Sequence, residues 1–133
     1  MSIETKLRPL ISTPSRHHRM LNFRAVLHKE FPQCFAAFGV PKQPLKKGIE
    51  WDIMKRLGWE CHFVLGDALF DYTRGVNYLA FMLPGSPRID LDGTVVDTVN
   101  DRAAAEAQSR LGKMLKWIDI SKIEIESGLR KVA

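Results

Sequence analysis

The chain has 133 residues, of which 45% are hydrophobic and 26% are charged, with a formal net charge of +5. This length suits one domain, and the composition excludes a disordered or fibrous chain. The longest apolar run, residues 78–83, is far shorter than the ~20 residues that span a bilayer, and no signal peptide is evident. We therefore expect a cytoplasmic protein without a membrane partner.

The positive charge is concentrated near the N-terminus. Residues 1–30 contain six Lys or Arg against two Asp or Glu, whereas residues 61–100 contain two against five. Clustered cations favour polyanionic partners, because they release condensed counterions from phosphate backbones. Composition alone is equally compatible with an ordinary solvated surface.

Residues 1–20 are predicted to form a flexible basic arm. Two prolines interrupt any periodicity there, and Arg16-His17-His18-Arg19 is strongly basic. The arm is either a disordered tail or a segment that contacts phosphates. A helix is predicted from about Met20 to Lys29, and Phe31-Pro32 should end it.

A loop over residues 39–48 should separate this helix from a second one. Ile49 to Leu57 has helical spacing, and Gly58 suits a C-terminal cap. The expected core residues before the loop are Phe31, Cys34, Phe35 and Phe38. The three tryptophans, Trp51, Trp59 and Trp117, are also expected to help fill the core.

The next helix is predicted to run from Asp67, as its N-cap, to Leu83. Thr73-Arg74-Gly75 interrupts its pattern, so one helix can end there and a second can begin at once. The segment from Arg88 to Val96 alternates in polarity around Asp92-Gly93, which predicts a β-hairpin with a type I′ turn.

Asp101 is predicted to cap a last long helix. From Ile120 onward the spacing fits a strand or a helix, and the sequence does not distinguish them. The buried stripe of this helix is expected to contain Ala103, Ala107, Leu111, Met114 and Ile118.

No catalytic, cofactor or metal motif is evident in the sequence. Cys34 and Cys61 are expected to be buried thiols, and the four histidines do not fall at zinc-ligand spacing. Asp90 and Asp92 can face the same side of a strand, but carboxylates beside an Asp-Gly turn are more often solvated. We therefore predict a protein that is not an enzyme and that needs neither a cofactor nor a metal.

Tyr72 and Tyr78 belong to a more informative combination of aromatic and basic residues. They are six positions apart, so they do not share a face of a continuous helix. A break at Thr73-Arg74-Gly75 would change this geometry and expose backbone N–H groups that can bind a phosphate. The alternative for Tyr78 is a core tyrosine with a satisfied hydroxyl.

Five segments follow one another in register along the chain. They are Phe31-Pro32-Gln33-Cys34-Phe35, Pro44-Leu45-Lys46-Lys47-Gly48-Ile49, Ala68-Leu69-Phe70-Asp71-Tyr72-Thr73, Tyr78-Leu79 and Arg88-Ile89-Asp90-Leu91-Asp92-Gly93. In order and spacing they resemble the ProQ/FinO domain family across about residues 31–111. The resemblance implies a mainly α domain with a small β-hairpin (α+β). It also implies binding to an RNA stem-loop with a single-stranded 3′ tail, and a chaperone role in post-transcriptional regulation by small RNAs.

The resemblance also implies the binding residues, because Lys46, Thr73, Tyr78 and Arg88 match functional positions of the family. In this hypothesis Tyr78 packs on, or hydrogen-bonds to, the terminal nucleotide, while Arg88 and Lys46 neutralise phosphates. The predicted RNA-binding set is Lys46, Lys47, Tyr72, Thr73, Arg74, Tyr78 and Arg88, with Lys55 and Arg56 as further candidates for the stem.

Gly66, Phe70 and Asn77 depart from the family pattern, because arginines often stand at these positions. Contacts to the RNA duplex are therefore expected to be fewer or moved. Compensation could come from the basic stretch 16–24 or from the last helix, through Arg110, Lys113 and Lys116.

The predicted organisation is a basic arm over residues 1–20, a monomeric RNA-binding domain over residues 21–118 and a C-terminal extension over residues 119–133. Two other function classes remain. A DNA-binding regulator would need a recognition helix with exposed base-reading side chains, which is not evident. A protein-interaction module would meet its partner through exposed tryptophans.

Overall fold

The computed structural model of the protein describes the backbone of residues 15–132 and the side chains of residues 15–117. The prediction of a mainly α domain with a small β-hairpin is confirmed. None of the described helices is both long and apolar enough to cross a bilayer. The elements are α1 (Arg16–Glu30), α2 (Ile49–Leu57), a 3₁₀ turn (Trp59–Cys61), α3 (His62–Thr73), α4 (Val76–Leu79), β1 (Pro87–Ile89), β2 (Val95–Thr98) and α5 (Asp101–Val132).

Helix α1 begins at Arg16, so the predicted start near Met20 is wrong and the basic stretch belongs to the helix. The physical reason is an N-cap at Ser15, whose hydroxyl oxygen accepts the His18 N–H at 3.1 Å. Residues 1–14 of the predicted arm lie outside the described residues. The helix ends at Glu30, directly before Phe31-Pro32, as expected.

Helix α2 has the predicted bounds, and Gly58 follows it with φ +102°, a conformation that favours glycine. Helix α3 begins at His62, so the prediction of an Asp67 N-cap is wrong. The 3₁₀ turn runs directly into α3, which places Asp67 in mid-helix. There its carboxylate pairs with Arg16 of α1 at 2.6 Å, across the packed interface of α1 and α3.

The predicted helix break is present. Helix α3 ends at Thr73, Gly75 is extended, and α4 contains only four residues. Helix α4 ends at Leu79, four residues before the predicted end, and Leu83 is exposed. One reason is that α5 holds the end of α4, because Gln108 Nε2 donates to the Leu79 carbonyl at 3.1 Å.

Strands β1 and β2 form the predicted antiparallel hairpin. The prediction of a type I′ turn is wrong, because that turn needs a positive φ at two residues and, in this turn, only Gly93 has a positive φ. Asp90 determines the turn instead: its Oδ1 accepts the N–H groups of Asp92 and Thr94, each at 2.9 Å.

Asn100, and not Asp101, caps helix α5, since its Oδ1 accepts the Ala103 N–H at 2.8 Å. The helix continues to Val132, which settles the open choice after Ile120 in favour of helix. The predicted C-terminal extension is therefore the end of α5. Of the predicted stripe, Ala107 is buried and Ala103, Leu111 and Met114 are partly buried, while the Ile118 side chain lies outside the described residues.

The core confirms Phe31, Cys34 and Phe35 as buried residues. The prediction that Phe38 belongs to the core is wrong, because its side chain is 52% exposed on the loop after α1. The prediction that the tryptophans help to fill the core is also wrong, since all three are exposed. Trp51 and Trp59 contact each other edge to face, with 5.9 Å between their ring centroids. The side chains that are most completely buried are Leu27, Phe35, Ile53 and Leu65.

Candidate nucleic-acid interface

The break between α3 and α4 brings Tyr72 and Tyr78 together. Their ring centroids lie 5.9 Å apart at 65°, although the residues are six positions apart in sequence. Each hydroxyl oxygen accepts a backbone N–H from the loop after α1, Tyr72 from Ala36 at 2.9 Å and Tyr78 from Leu45 at 3.0 Å. The tyrosine pair therefore fastens this loop to the α3–α4 junction.

Arg88 binds the same loop from the hairpin. Its Nη1 donates to the Leu45 carbonyl at 2.8 Å, so Tyr78 and Arg88 together satisfy both polar backbone groups of Leu45. Backbone bonds of Ile89 to Pro44 and Lys46 place this segment beside β1. Tyr78 is 5% exposed and Arg88 is 7% exposed, so Tyr78 presents no free ring face for stacking in this conformation.

The other predicted site residues lie around this segment or at the helix break. Lys46 Nζ pairs with Asp52 at 2.7 Å, and this hydrogen bond raises the pKa of Lys46. Lys47 is exposed. Thr73 Oγ1 donates to the Leu69 carbonyl at 2.8 Å, a bond that closes the last turn of α3. Arg74 is exposed, with its guanidinium 4.4 Å from the Phe70 ring centroid.

Two buried cations beside Tyr72 were not among the predicted site residues. Arg24 pairs with Asp71 at 2.6 Å, and its guanidinium lies 5.1 Å from the Tyr72 ring centroid. Lys42 Nζ lies 5.3 Å from the same centroid, and burial lowers the pKa of Lys42, with the neighbouring Arg24 adding to the effect. The sequence carries no signal for this cluster, because one cation comes from a helix and the other from a loop.

The prediction of buried thiols is confirmed for Cys34 but not for Cys61. Cys34 is buried, and burial raises its pKa to about 12, with smaller contributions from Asp90 and Asp92. Cys61 is only partly buried, and its Sγ donates to the Gly58 carbonyl at 3.1 Å. Within the part of the chain that the structure describes, no group of three or more His, Cys, Asp or Glu residues is placed to hold a metal ion.

We expect the two tyrosines, the only ones in the chain, to resist ionisation until the protein unfolds. Burial raises the pKa of Tyr72 to about 12 and also raises the pKa of Tyr78. Because the folded state holds these protons more tightly, their contribution to stability is full below about pH 10, the unfolded pKa, and is lost as the pH rises through the raised folded pKa, which is about 12 for Tyr72. Tyrosinate absorbance against pH, with and without urea, measures this. A half-ionised pair at about pH 10 in protein that is still folded would contradict the prediction.

Of the three positions where the resemblance implies arginines, only Phe70 is aromatic. Gly66 is exposed, with open space where a Cβ would lie, and Phe70 is exposed on the next turns of the helix. Asn77 is partly buried, and its backbone carbonyl oxygen accepts the backbone N–H of Lys42 at 3.0 Å. The residues suggested as compensation on α5, namely Arg110, Lys113 and Lys116, are all exposed. Of the stem candidates, Lys55 is exposed and Arg56 lies 3.4 Å from Asp92.

Comparison with known proteins tests the resemblance. The model of the ProQ/FINO family matches residues 19–121. A ProQ homolog from Legionella pneumophila, solved by NMR, is 27% identical with a TM-score of 0.58, covering 76% of this chain and 84% of that chain. The crystal structure of a FinO-like RNA chaperone from Neisseria meningitidis is 20% identical with a TM-score of 0.59, covering 85% of this chain and 96% of that chain, and it supports the fold. The chain belongs to the ProQ/FinO family.

Proposed function

We propose that the protein is an RNA chaperone that binds stem-loops through a single-stranded 3′ tail and acts in small-RNA regulation, as a cytoplasmic monomer. One observation carries the proposal: three residues that match functional positions of the family, Lys46, Tyr78 and Arg88, meet at the Leu45 segment. Family membership and the RNA-chaperone description of the Neisseria relative support RNA as the polyanion that the basic chain binds.

Tyr78 and Arg88 hold the Leu45 backbone between them, and we call this pair the clamp. Hydrogen-bonding groups that the clamp does not use on Leu45 support end recognition. Arg88 Nε is buried and has no hydrogen-bond partner among the residues that the structure describes, and leaving such a donor unpaired costs about 1–3 kcal/mol. Tyr78 Oη accepts from Leu45, and its own hydroxyl proton remains available for donation. A 3′-terminal nucleotide carries phosphate and ribose oxygens that can accept from both groups. In this proposal the end is bound by hydrogen bonds and not by stacking on Tyr78.

Lys46 and Lys47 supply charge beside this clamp. Lys46 follows Leu45 directly, and its backbone N–H donates to the Ile89 carbonyl at 2.8 Å, which fixes its position at the hairpin. Asp52 neutralises part of its charge, so an RNA phosphate would compete with that carboxylate. The exposed Lys47 and Arg74 can then contact phosphates further along the tail.

A binding titration tests the function. The probe is a terminator hairpin with a 3′ uridine tail, compared with the same hairpin lacking the tail or carrying a blocked 3′ hydroxyl. We expect Lys46→Ala to weaken tail-dependent binding about tenfold and to lower the salt slope by about one, whereas Lys55→Ala, a matched exposed lysine, leaves the tail dependence unchanged. Arg88→Ala should abolish the tail dependence, with circular dichroism confirming that the variant is folded.

The other outcomes decide between the alternatives. Equal binding with and without the tail would indicate a general basic RNA binder and overturn end recognition. Duplex DNA that competes as well as the hairpin would favour a DNA-binding regulator. A complete lack of RNA binding would favour a protein-interaction module, for which the exposed Trp51 and Trp59 are the supporting observation.

A further inference from the structure

Two phenylalanines on α3 lie open to solvent. Phe63 is 86% exposed and Phe70 is 61% exposed. They are seven residues apart, so they face the same side of α3 with about 10 Å between them along the helix axis. Large exposed aromatic side chains on one line are typical of a binding surface and not of an inert one.

A groove runs between α1 and this side of α3, and it consists of two adjoining clefts. The first has a volume of about 530 Å³ and includes Arg16, Arg19 and Phe63 in its lining. The second has a volume of about 390 Å³ and extends the groove from Arg16 to Phe70. We call this the α1–α3 groove. Its walls therefore combine apolar rings from one helix with cations from the other.

The cations are placed to contact a ligand that also touches the rings. Arg16 is exposed, and two 2.6 Å bonds to Asp67 hold its guanidinium between the two clefts. Arg19 lines the cleft that contains Phe63. At the far end Arg74 lies over the Phe70 ring at 4.4 Å. Two aspartates, Asp67 and Asp71, also line the clefts, and Asp71 pairs with Arg24 of α1 at 2.6 Å. With Arg24 and Arg74 counted, four arginines lie against two aspartates, which leaves this region positively charged.

Single-stranded nucleic acid fits this combination. Proteins bind unpaired strands by stacking bases on aromatic rings while cations follow the phosphates. A duplex has its bases paired and stacked internally, so it offers no free base face to Phe63 or Phe70. A peptide would match the rings but would gain little from the arginines unless it were acidic.

We propose that the α1–α3 groove is a second RNA site, which binds unpaired nucleotides by stacking them on Phe63 and Phe70 while Arg16 and Arg19 contact their phosphates. The proposal rests on RNA being the ligand, as proposed above, but it does not depend on the clamp at Leu45. It gives the departure at Phe70 a consequence, because base stacking here replaces the phosphate contact that an arginine would make.

Binding of a labelled short oligoadenylate tests the groove. Phe63→Ala and Phe70→Ala should each weaken binding about tenfold, which corresponds to about 1.4 kcal/mol. Leucine at either position should weaken binding as much as alanine, because it keeps apolar area but has no aromatic face, whereas Phe63→Trp should retain binding. Phe81→Ala is the matched control, since Phe81 is exposed and does not line either cleft. An abasic strand of the same length should bind the wild type as weakly as it binds Phe70→Ala.

A two-stranded RNA duplex with a short 3′ uridine overhang separates this proposal from the end-binding one, because it has no hairpin loop and its only unpaired nucleotides are those that the site at Leu45 would bind. The Phe63→Ala and Phe70→Ala variants should bind that duplex as tightly as the wild type does. Unchanged oligoadenylate binding in these variants, or full binding by the leucine variants, would overturn the groove and leave end recognition standing. Oligoadenylate binding that depends on Phe63 and Phe70, together with hairpin binding that does not depend on the tail, would overturn end recognition and leave the groove standing.

Discussion

Replacing Tyr78 with alanine is expected to lower the free energy of unfolding by about 3–5 kcal/mol, as for other large buried aromatic residues. Tyr78 packs against Tyr72, and its hydroxyl oxygen holds the Leu45 N–H. The variant leaves a cavity and an unpaired backbone donor at once. Domains of this size are stable by only about 5–15 kcal/mol, so the loss leaves a marginal fold. Urea unfolding followed by circular dichroism measures the effect.

Tyr78→Phe is the control that separates packing from hydrogen bonding. It keeps the ring and removes the hydroxyl, so we expect a loss of about 1–3 kcal/mol from the unsatisfied Leu45 N–H. Equal losses in the phenylalanine and alanine variants would show that packing contributes nothing. The phenylalanine variant is also the better probe of RNA binding, because loss of binding in Tyr78→Ala can follow from unfolding alone.

Phe35→Ala is expected to cost a similar amount, about 3–5 kcal/mol. The side chain is completely buried and meets the Tyr72 ring edge to face at 5.0 Å. The backbone carbonyl oxygen of Phe35 also lies 2.7 Å from the Nδ1 of His28, and this contact connects the loop to α1. A cavity here would loosen the contact between α1, the loop and α3 together. Thermal and urea unfolding of the variant measure the loss.

Phe38→Ala is the matched control, because Phe38 is three residues away on the same loop but half exposed. Its main partner is Arg24, whose guanidinium lies 4.0 Å from the ring centroid. An exposed cation–π contact is worth about 0.5–1 kcal/mol, so the expected loss is of that order. Similar losses at Phe35 and Phe38 would contradict the burial difference between them.

Local signals explain why much of the fold could be predicted. Phe31-Pro32, Gly58 and the Thr73-Arg74-Gly75 break act on the backbone within a few residues, and each ends a helix where expected. The predicted starts of α1 and α3 are wrong because the structural start signals lie upstream of Met20 and Asp67. They are an N-cap at Ser15 and a 3₁₀ turn that runs directly into α3.

The sequence proposed the members of the candidate site but could not predict their geometry. The family motifs identify Lys46, Tyr78 and Arg88 as functional positions without showing that two of them hold the backbone of Leu45. Such bonds join residues more than thirty positions apart, and no local pattern encodes them. The buried Lys42 was missed for the same reason, and Arg24 was considered only as part of the basic stretch 16–24.

The sequence by itself determined the family, the mainly helical class, the helix break and the hairpin, because these depend on motifs, periodicity and residues with restricted backbone angles. The tertiary structure alone decided which side chains are covered. Phe35 is buried and Phe38 is not, although both are phenylalanines on one loop, since only the first lies beneath Tyr72 and α1. Trp51, Trp59, Phe63 and Phe70 are exposed because no remote element of the described part of the chain packs over them, and burial depends on that long-range packing.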